Sequence, residues 1–332
     1  MKKKDLCTED KGMKRVLPLL LAVMLFLPLR AGSEEAPAYE AYAALDFNIR
    51  REAGSEYRLL QVRDGDLLQV YEYGEEWCKV GAGETVGYCK TRWLWGFHSL
   101  NALQHPVPGC RAQMGALQLG DAAWIEGGKF KGVLAGAGSM LCVTEAKEDG
   151  YHLPVWRGEG VLPLDCGGMI AFVPWGDALP GDLIGGFTTY YNEKTGKELA
   201  AARAYNIQEA CRRIQDTLLQ PGESFSYNAL CGPYTKENGY KMAPNISRDG
   251  KGYGGGVCQV TTTLYNALLA LPLQIDAWNV HRRSGVDYIP QYFDAAVGSY
   301  TDLCFTNTLP YPIRIAAMDQ AGVVTVLIFR KE

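Results

Sequence analysis

Histidine is scarce in this 332-residue chain, with only His98, His105, His152 and His281. No Cys-x-x-C pair occurs among the ten cysteines, and no His/Cys grouping has zinc-ligand spacing, so neither a metal nor a cofactor is expected. A Gly-Lys-Ser/Thr step is also missing, which excludes a P-loop. Gly250-Lys-Gly-Tyr-Gly-Gly255 does match G-x-G-x-x-G in letters. The residues before it, Asn245-Ile-Ser-Arg-Asp, read as a loop rather than a strand, so a dinucleotide site does not follow.

An excess of basic charge is lacking too. Lys and Arg number 33 against 37 Asp and Glu; residues 1–33 hold 7 of the former and 3 of the latter, which leaves −8 for the rest. Such a balance gives no electrostatic footprint for nucleic acid and no polybasic membrane stripe. Hydrophobic runs long enough to span a bilayer are absent as well. The apolar block Val16–Leu29 is 14 residues long, follows Lys14-Arg15, and precedes small residues at Ala31-Gly-Ser33 and Ala36-Pro-Ala38. That pattern reads as a secretory signal peptide within residues 1–38, with an uncleaved membrane anchor as the alternative. The expected location is therefore extracytoplasmic, with membrane contact only through an uncleaved signal.

Loss of Cys7 with the signal leaves nine cysteines, an odd number, so at least one thiol stays free or pairs outside the chain. Cys258 is the natural candidate, because its flanking glycines give it little to pack against.

Residues 42–96 carry short runs rich in Val, Leu, Tyr and Trp between Gly and Asp turn signals, the pattern of a small all-β barrel. Asn48-Ile-Arg50, Gly65-Asp66, Trp77-x-Lys-Val80, Gly87-Tyr88 and Trp93-Leu94 occur in the order seen in bacterial SH3-like (SH3b) domains, which this segment resembles. The resemblance implies a binding module, commonly for peptidoglycan; a spacer that binds nothing is the alternative. Cys78 and Cys89 fall on neighbouring strands of such a barrel, where a cross-strand disulfide is conceivable. Residues 97–180 read as further β-structure, and Glu148-Asp-Gly-Tyr-His-Leu-Pro-Val-Trp faintly echoes Glu75-Glu-Trp-Cys-Lys-Val, suggesting a second, degenerate barrel.

The texture changes in residues 182–332. Leu183–Tyr191 reads as a strand, and Glu198–Leu219 as a helix with Ala200, Ala204, Ile207, Cys211, Ile214 and Leu218 on one stripe, ended by Pro221-Gly222. Gln259–Leu271 is a second helix, buried through Val260, Leu264, Ala267 and Leu268, whose three threonines would satisfy backbone groups of the first turn. Residues 312–317 and 323–329 alternate or run apolar like sheet strands. Cys258 then stands at a helix N-terminus, where free N–H groups and the macrodipole stabilise a thiolate and can lower its pKa from about 8.5. His281 lies 23 residues on, and a helix-to-strand hairpin would return it to the helix start as general base. Asp294 or Asp302 would orient it, and the order Cys, His, Asp is that of papain-like and transglutaminase-like enzymes. The competing reading is a tight glycine turn, an inert buried cysteine, and a histidine that holds a loop.

From about Gly186 onward further landmarks accumulate: Phe187-Thr-Thr-Tyr, Arg203, Asn206-Ile, Pro221-Gly-Glu-Ser-Phe-Ser-Tyr-Asn228, Gly239-Tyr240 and Ala243-Pro244. The densest is Gly254-Gly-Gly-Val-Cys-Gln-Val-Thr-Thr-Thr-Leu-Tyr-Asn266, followed by His281, Tyr288, Asp294-Ala295, Asp302-Leu303 and Asn307. This segment resembles the VanW-like family of exported bacterial proteins, with Tyr227, Thr261 and Arg282-Arg283 as local departures. The resemblance implies an association with glycopeptide resistance and so with peptidoglycan or its stem peptides. The expected fold class is an α+β multidomain protein: one or two SH3-like barrels, then an α+β VanW-like module with a cysteine heading a helix. Two function classes stand side by side. One is a cysteine-dependent hydrolase or acyltransferase, with Gln259, Gly256 and Asn266 supplying oxyanion or polar contacts and Arg203 or Arg282 reading a substrate carboxylate. The other is a non-catalytic wall-binding or scaffold protein.

Overall fold

Alternation of apolar and polar residues governs most of this chain, and strands dominate its computed structural model. The structure describes residues 36–100, 107–108, 113–127, 132–155, 158–191, 198–245, 250–281, 285–290 and 292–332. Most of the expected signal segment, together with His105, Cys110 and Arg282, lies outside the described residues. Among those described, 24 strands stand against three α-helices, and no helix is long and apolar enough to cross a membrane. The expectation of an α+β protein with SH3-like barrels is thereby overturned. The protein is mostly β, built from antiparallel sheets, and no barrel closes among the described residues.

The first sheet shows why. Its seven strands run in the order Arg58–Val62, Phe47–Arg50, Thr85–Lys90, Trp77–Ala82, Leu67–Glu72, Tyr39–Ala43 and Leu94–Ser99. Tyr39–Ala43 lies upstream of the landmarks that suggested a barrel. It inserts between Leu67–Glu72 and Leu94–Ser99 and pairs with both, so the row extends instead of closing. Cys78 and Cys89 are direct cross-strand partners, both buried and both free thiols.

The second expected barrel is also replaced. Residues 115–171 form a five-stranded and a three-stranded sheet around a shared core that includes Leu117, Ile125, Leu141 and Leu153.

Residues 183–330 carry the three helices: α1 (Glu198–Ile214), α2 (Tyr227–Cys231) and α3 (Val257–Leu268). Helix α1 stops at Ile214, earlier than its alanine-rich periodicity suggests, because Asp216 takes a positive φ of 62° and Leu218–Leu219 joins a sheet instead. That sheet runs Leu183–Tyr190, Val323–Arg330, Ile313–Gln320, Leu218–Leu219. Five shorter strands between Ser224 and Thr306 complete the β-rich character of the module. They are three or four residues long and carry no alternation to betray them.

Helix α3 packs on the first two strands of the four-stranded sheet. Every one of its residues except Cys258 is buried, the mark of an interior helix. Its threonines work differently from the expected capping role. Thr261 Oγ1 donates to Val257 O (3.2 Å) and Thr263 Oγ1 to Gln259 O (2.8 Å), so these hydroxyls bond back onto carbonyls of the preceding turn. An aromatic seam ties the first sheet to this module. Trp95 stacks on Tyr42 (4.9 Å between centroids) and on Tyr292 (4.5 Å), Tyr265 stacks on Trp278 (5.2 Å), and His98 Nε2 bonds Tyr265 Oη (3.0 Å). Burial holds the His98 imidazole down at about 4, so it is neutral at pH 7.

Candidate active site

The glycine run ends at Gly256, which caps α3 with φ 110°. A Cβ there would lie 3.0 Å from Ile207 Cγ1 and 3.1 Å from the Arg203 carbonyl oxygen, so backbone conformation and close approach to α1 both require glycine. Val257 N–H and Gln259 N–H donate to Gly254 O and Gly256 O, closing the turn from which Cys258 projects. A cleft of about 770 Å³ opens over Cys258, with His281, Arg203, Tyr234 and Tyr288 on its walls.

One face of α3 organises what surrounds the thiol. Cys258, Thr262 and Asn266 are four residues apart, about 6 Å per step along a helix. Beside them runs the extended segment 293–297, whose alternate residues advance about 6.6 Å. The two periods match, and three contacts follow. The Cys258 Sγ bonds Val297 through both its N–H (3.5 Å) and its carbonyl (3.6 Å). Thr262 Oγ1 accepts from Ala295 N (2.9 Å) and donates to Ala295 O (3.3 Å). Asn266 Nδ2 donates to Phe293 O (2.7 Å). The residue held between the last two contacts is Asp294.

Asp294 is 1% exposed, and its Oδ2 accepts from both the backbone N–H and the Nδ1–H of His281, each at 2.7 Å. Trp278 Nε1 fixes the Asp294 carbonyl at 3.0 Å. With Nδ1 committed, Nε2 is the nitrogen left for the Cys258 thiol, which lies near enough to raise the proton affinity of the imidazole. Burial pulls the His281 pKa down, but the bonds to Asp294 and Cys258 outweigh it and hold the imidazole up at about 9. Cys258 and His281 thus stand together on the cleft, with the imidazole bonded from behind by Asp294.

Residues 202–329 match the family model described as VanW like protein. The C-terminal part of the chain is therefore similar to the VanW-like family over these residues. Two relatives bear on the same region. YoaR of Bacillus subtilis (strain 168) is 34% identical over 152 residues, 45% of this chain and 48% of its own length. The Vancomycin B-type resistance protein VanW of Enterococcus faecalis (strain ATCC 700802 / V583) is 31% identical over 90 residues, 26% of this chain and 32% of its own. The chain spans about half the length of the first relative and a third of the second.

Within the VanW-like domain the remaining expected residues take other positions. Asp302 does not meet His281. It accepts from Ser226 Oγ (2.7 Å) and Asn228 N (2.9 Å), and so anchors the start of α2. Gln259 is fully buried and committed: its Oε1 accepts from Arg203 Nη2 (2.6 Å) and its Nε2 donates to Thr189 Oγ1 (3.2 Å). It supports the cleft wall, with its amide oxygen and one N–H of its amide already engaged. Asn266 lies two turns from Cys258 and laces the loop rather than facing the cleft. Arg203 does line the cleft. Sequence reasoning missed Thr262, Val297 and the two wall tyrosines. The four-residue step from Cys258 through Thr262 to Asn266 was the available signal for the first.

Proposed function

We propose that the VanW-like domain is a cysteine-dependent enzyme that cleaves or exchanges amide bonds of peptidoglycan stem peptides outside the cytoplasm. The observation that carries this reading is the Cys258–His281–Asp294 grouping in an open cleft. In the forward step His281 already carries the proton, as its raised pKa requires, and Sγ attacks the substrate carbonyl carbon as a thiolate paired with the imidazolium. The C–N bond breaks, the proton passes to the leaving amine, and a thioester remains on Cys258. Water or a second amine then takes the acyl group, with His281 again relaying the proton. Asp294 holds the imidazole with Nε2 toward the sulfur. The first turn of α3 and its dipole favour negative charge on the attacked oxygen. Export is supported by the apolar block at Val16–Leu29, and a wall substrate by the vancomycin-resistance role in the name of the Enterococcus relative.

Iodoacetamide labelling of Cys258, followed by peptide mass spectrometry across pH, tests this reading. The expected result is fast labelling at pH 7 that slows about tenfold or more in His281→Ala, because the imidazole no longer draws off the thiol proton. A folded wild-type protein whose Cys258 stays unreactive would instead mark the motif as a packing device within a binding or scaffold protein.

A further inference from the structure

Helix α1 carries three arginines, and two of them have a carboxylate. Arg212 and Arg213 both meet Glu209, each at 2.8 Å. Arg203 is placed differently. Its stem crosses the start of α3, since a Cβ at Gly256 would lie 3.1 Å from Arg203 Cγ. Its Nη2 then donates to Gln259 Oε1 (2.6 Å). Gln259 is fully buried and is held in turn by Thr189 Oγ1 (3.2 Å), which also bonds Thr263 Oγ1 (2.7 Å). The guanidinium is therefore fixed on the cleft wall beside the residue that follows Cys258.

No carboxylate pairs with Arg203 among the described residues. The acidic residue on the cleft wall, Asp287, is exposed and has a partner already. Asp294 gives its Oδ2 to His281. A guanidinium does not shed its proton, so the charge stands in the cleft at any working pH, with most of its N–H fork unused. Tyr288 reports how close this charge is to the thiol. Burial raises its phenol pKa, Cys258 raises it further and Arg203 opposes them, so one ring lies within electrostatic reach of both groups.

We propose that Arg203 is the specificity-determining residue of the cleft and binds an ionised carboxylate of the substrate beside the scissile amide. This rests on the cysteine-enzyme reading above and narrows it to peptides with a free carboxylate next to the bond that reacts. The planar fork matches the two oxygens of a carboxylate. A carboxamide in the same place sets N–H donors against N–H donors, so amidated peptides are poor substrates. The carboxylate belongs either to a C-terminus or to an acidic side chain next to the scissile bond, since both present the same two oxygens.

Protection of Cys258 from iodoacetamide, followed by peptide mass spectrometry on the full chain, tests the proposal. The probes are N-acetyl-dialanine, its C-terminal amide, and N-acetyl-glutamyl-alanine amide, whose one carboxylate is on a side chain, each in L and D forms. In wild type at least one acid should protect at a concentration at least tenfold below that of the dialanine amide. Protection by N-acetyl-dialanine assigns the bound carboxylate to a C-terminus, and protection by the glutamyl peptide assigns it to a side chain. Arg203→Gln should abolish the tenfold preference, and Arg203→Lys, which keeps the charge without the fork, should restore part of it. The preference is a ratio measured on one protein, so a general loosening of Gln259 in the variants cancels. Equal protection by acid and amide in wild type, no protection by either acid, or a preference that survives Arg203→Gln would each overturn the proposal; the last would assign the carboxylate to His281. Labelling without any probe is a separate readout. A reactive Cys258 without acid preference sinks the carboxylate proposal alone, whereas an inert Cys258 sinks the cysteine-enzyme reading and this proposal with it.

Discussion

Replacing Asp294 by asparagine keeps the shape of the side chain and removes the charge that His281 faces. The wild-type imidazole is held at about 9, against about 6.5 for a free histidine. A folded pKa above the unfolded one means that the folded state binds the proton more tightly. Its contribution is complete below about pH 6.5 and is lost as pH rises through 9. The difference of about 2.5 units corresponds to about 3 kcal/mol. Screening reduces this little, because the His281 side chain is only 13% exposed. In Asp294→Asn only Cys258 is left to oppose burial, and the imidazole falls back toward its free value. Urea unfolding at pH 6, 7.5 and 9.5 measures the effect as a difference between the two proteins, so ionisations common to both cancel. Wild type should exceed the variant by about 1–3 kcal/mol at pH 6, since Cys258 keeps part of the shift, and by under about 1 kcal/mol at pH 9.5. A gap that stays constant across this range would refute the reasoning, since it would show that Asp294 acts on His281 by shape alone.

Two further expectations separate neighbouring roles. Thr262→Val conserves volume but strips the acceptor from the buried Ala295 N–H, at a cost of about 1–3 kcal/mol. It should also slow iodoacetamide labelling of Cys258, because the segment that holds Asp294 loosens; unchanged labelling would sever the loop contacts from the chemistry. Asp302→Ala removes the acceptor of Ser226 Oγ and Asn228 N and should lower stability by about 2 kcal/mol. Its Cys258 labelling rate should stay near wild type, and a loss as large as that of Asp294→Asn would mean that Asp302 shares in orienting His281.

What the sequence made legible was local. Cys258 at the head of a helix followed from glycine punctuation and the absence of Gly and Pro as far as Leu271. The long strands near the C-terminus followed from their alternation. Non-local pairing was hidden. Nothing in Tyr39–Ala43 announces that it will separate two strands of a would-be barrel, and strands of two to four residues leave no periodicity behind. The balance between Asp294 and Asp302 could not be struck from spacing, because both follow His281 at loop-like distances. Only the match between a helical face and an extended segment decides it.

The match that identifies the VanW-like part begins at residue 202, yet the fold does not. Strand Leu183–Tyr190 pairs along Val323–Arg330, and its Thr189 receives the Gln259 side chain that braces the cleft wall. A gene fragment cut at residue 202 would therefore leave the flank of Val323–Arg330 without its neighbour and the Gln259 amide without its acceptor. Residues 202–329 are not a cassette that can be moved by themselves. Any chain that hosts them has to provide an eight-residue edge strand with a hydroxyl in the right place, and engineered fusions should take their start point from Leu183 or earlier.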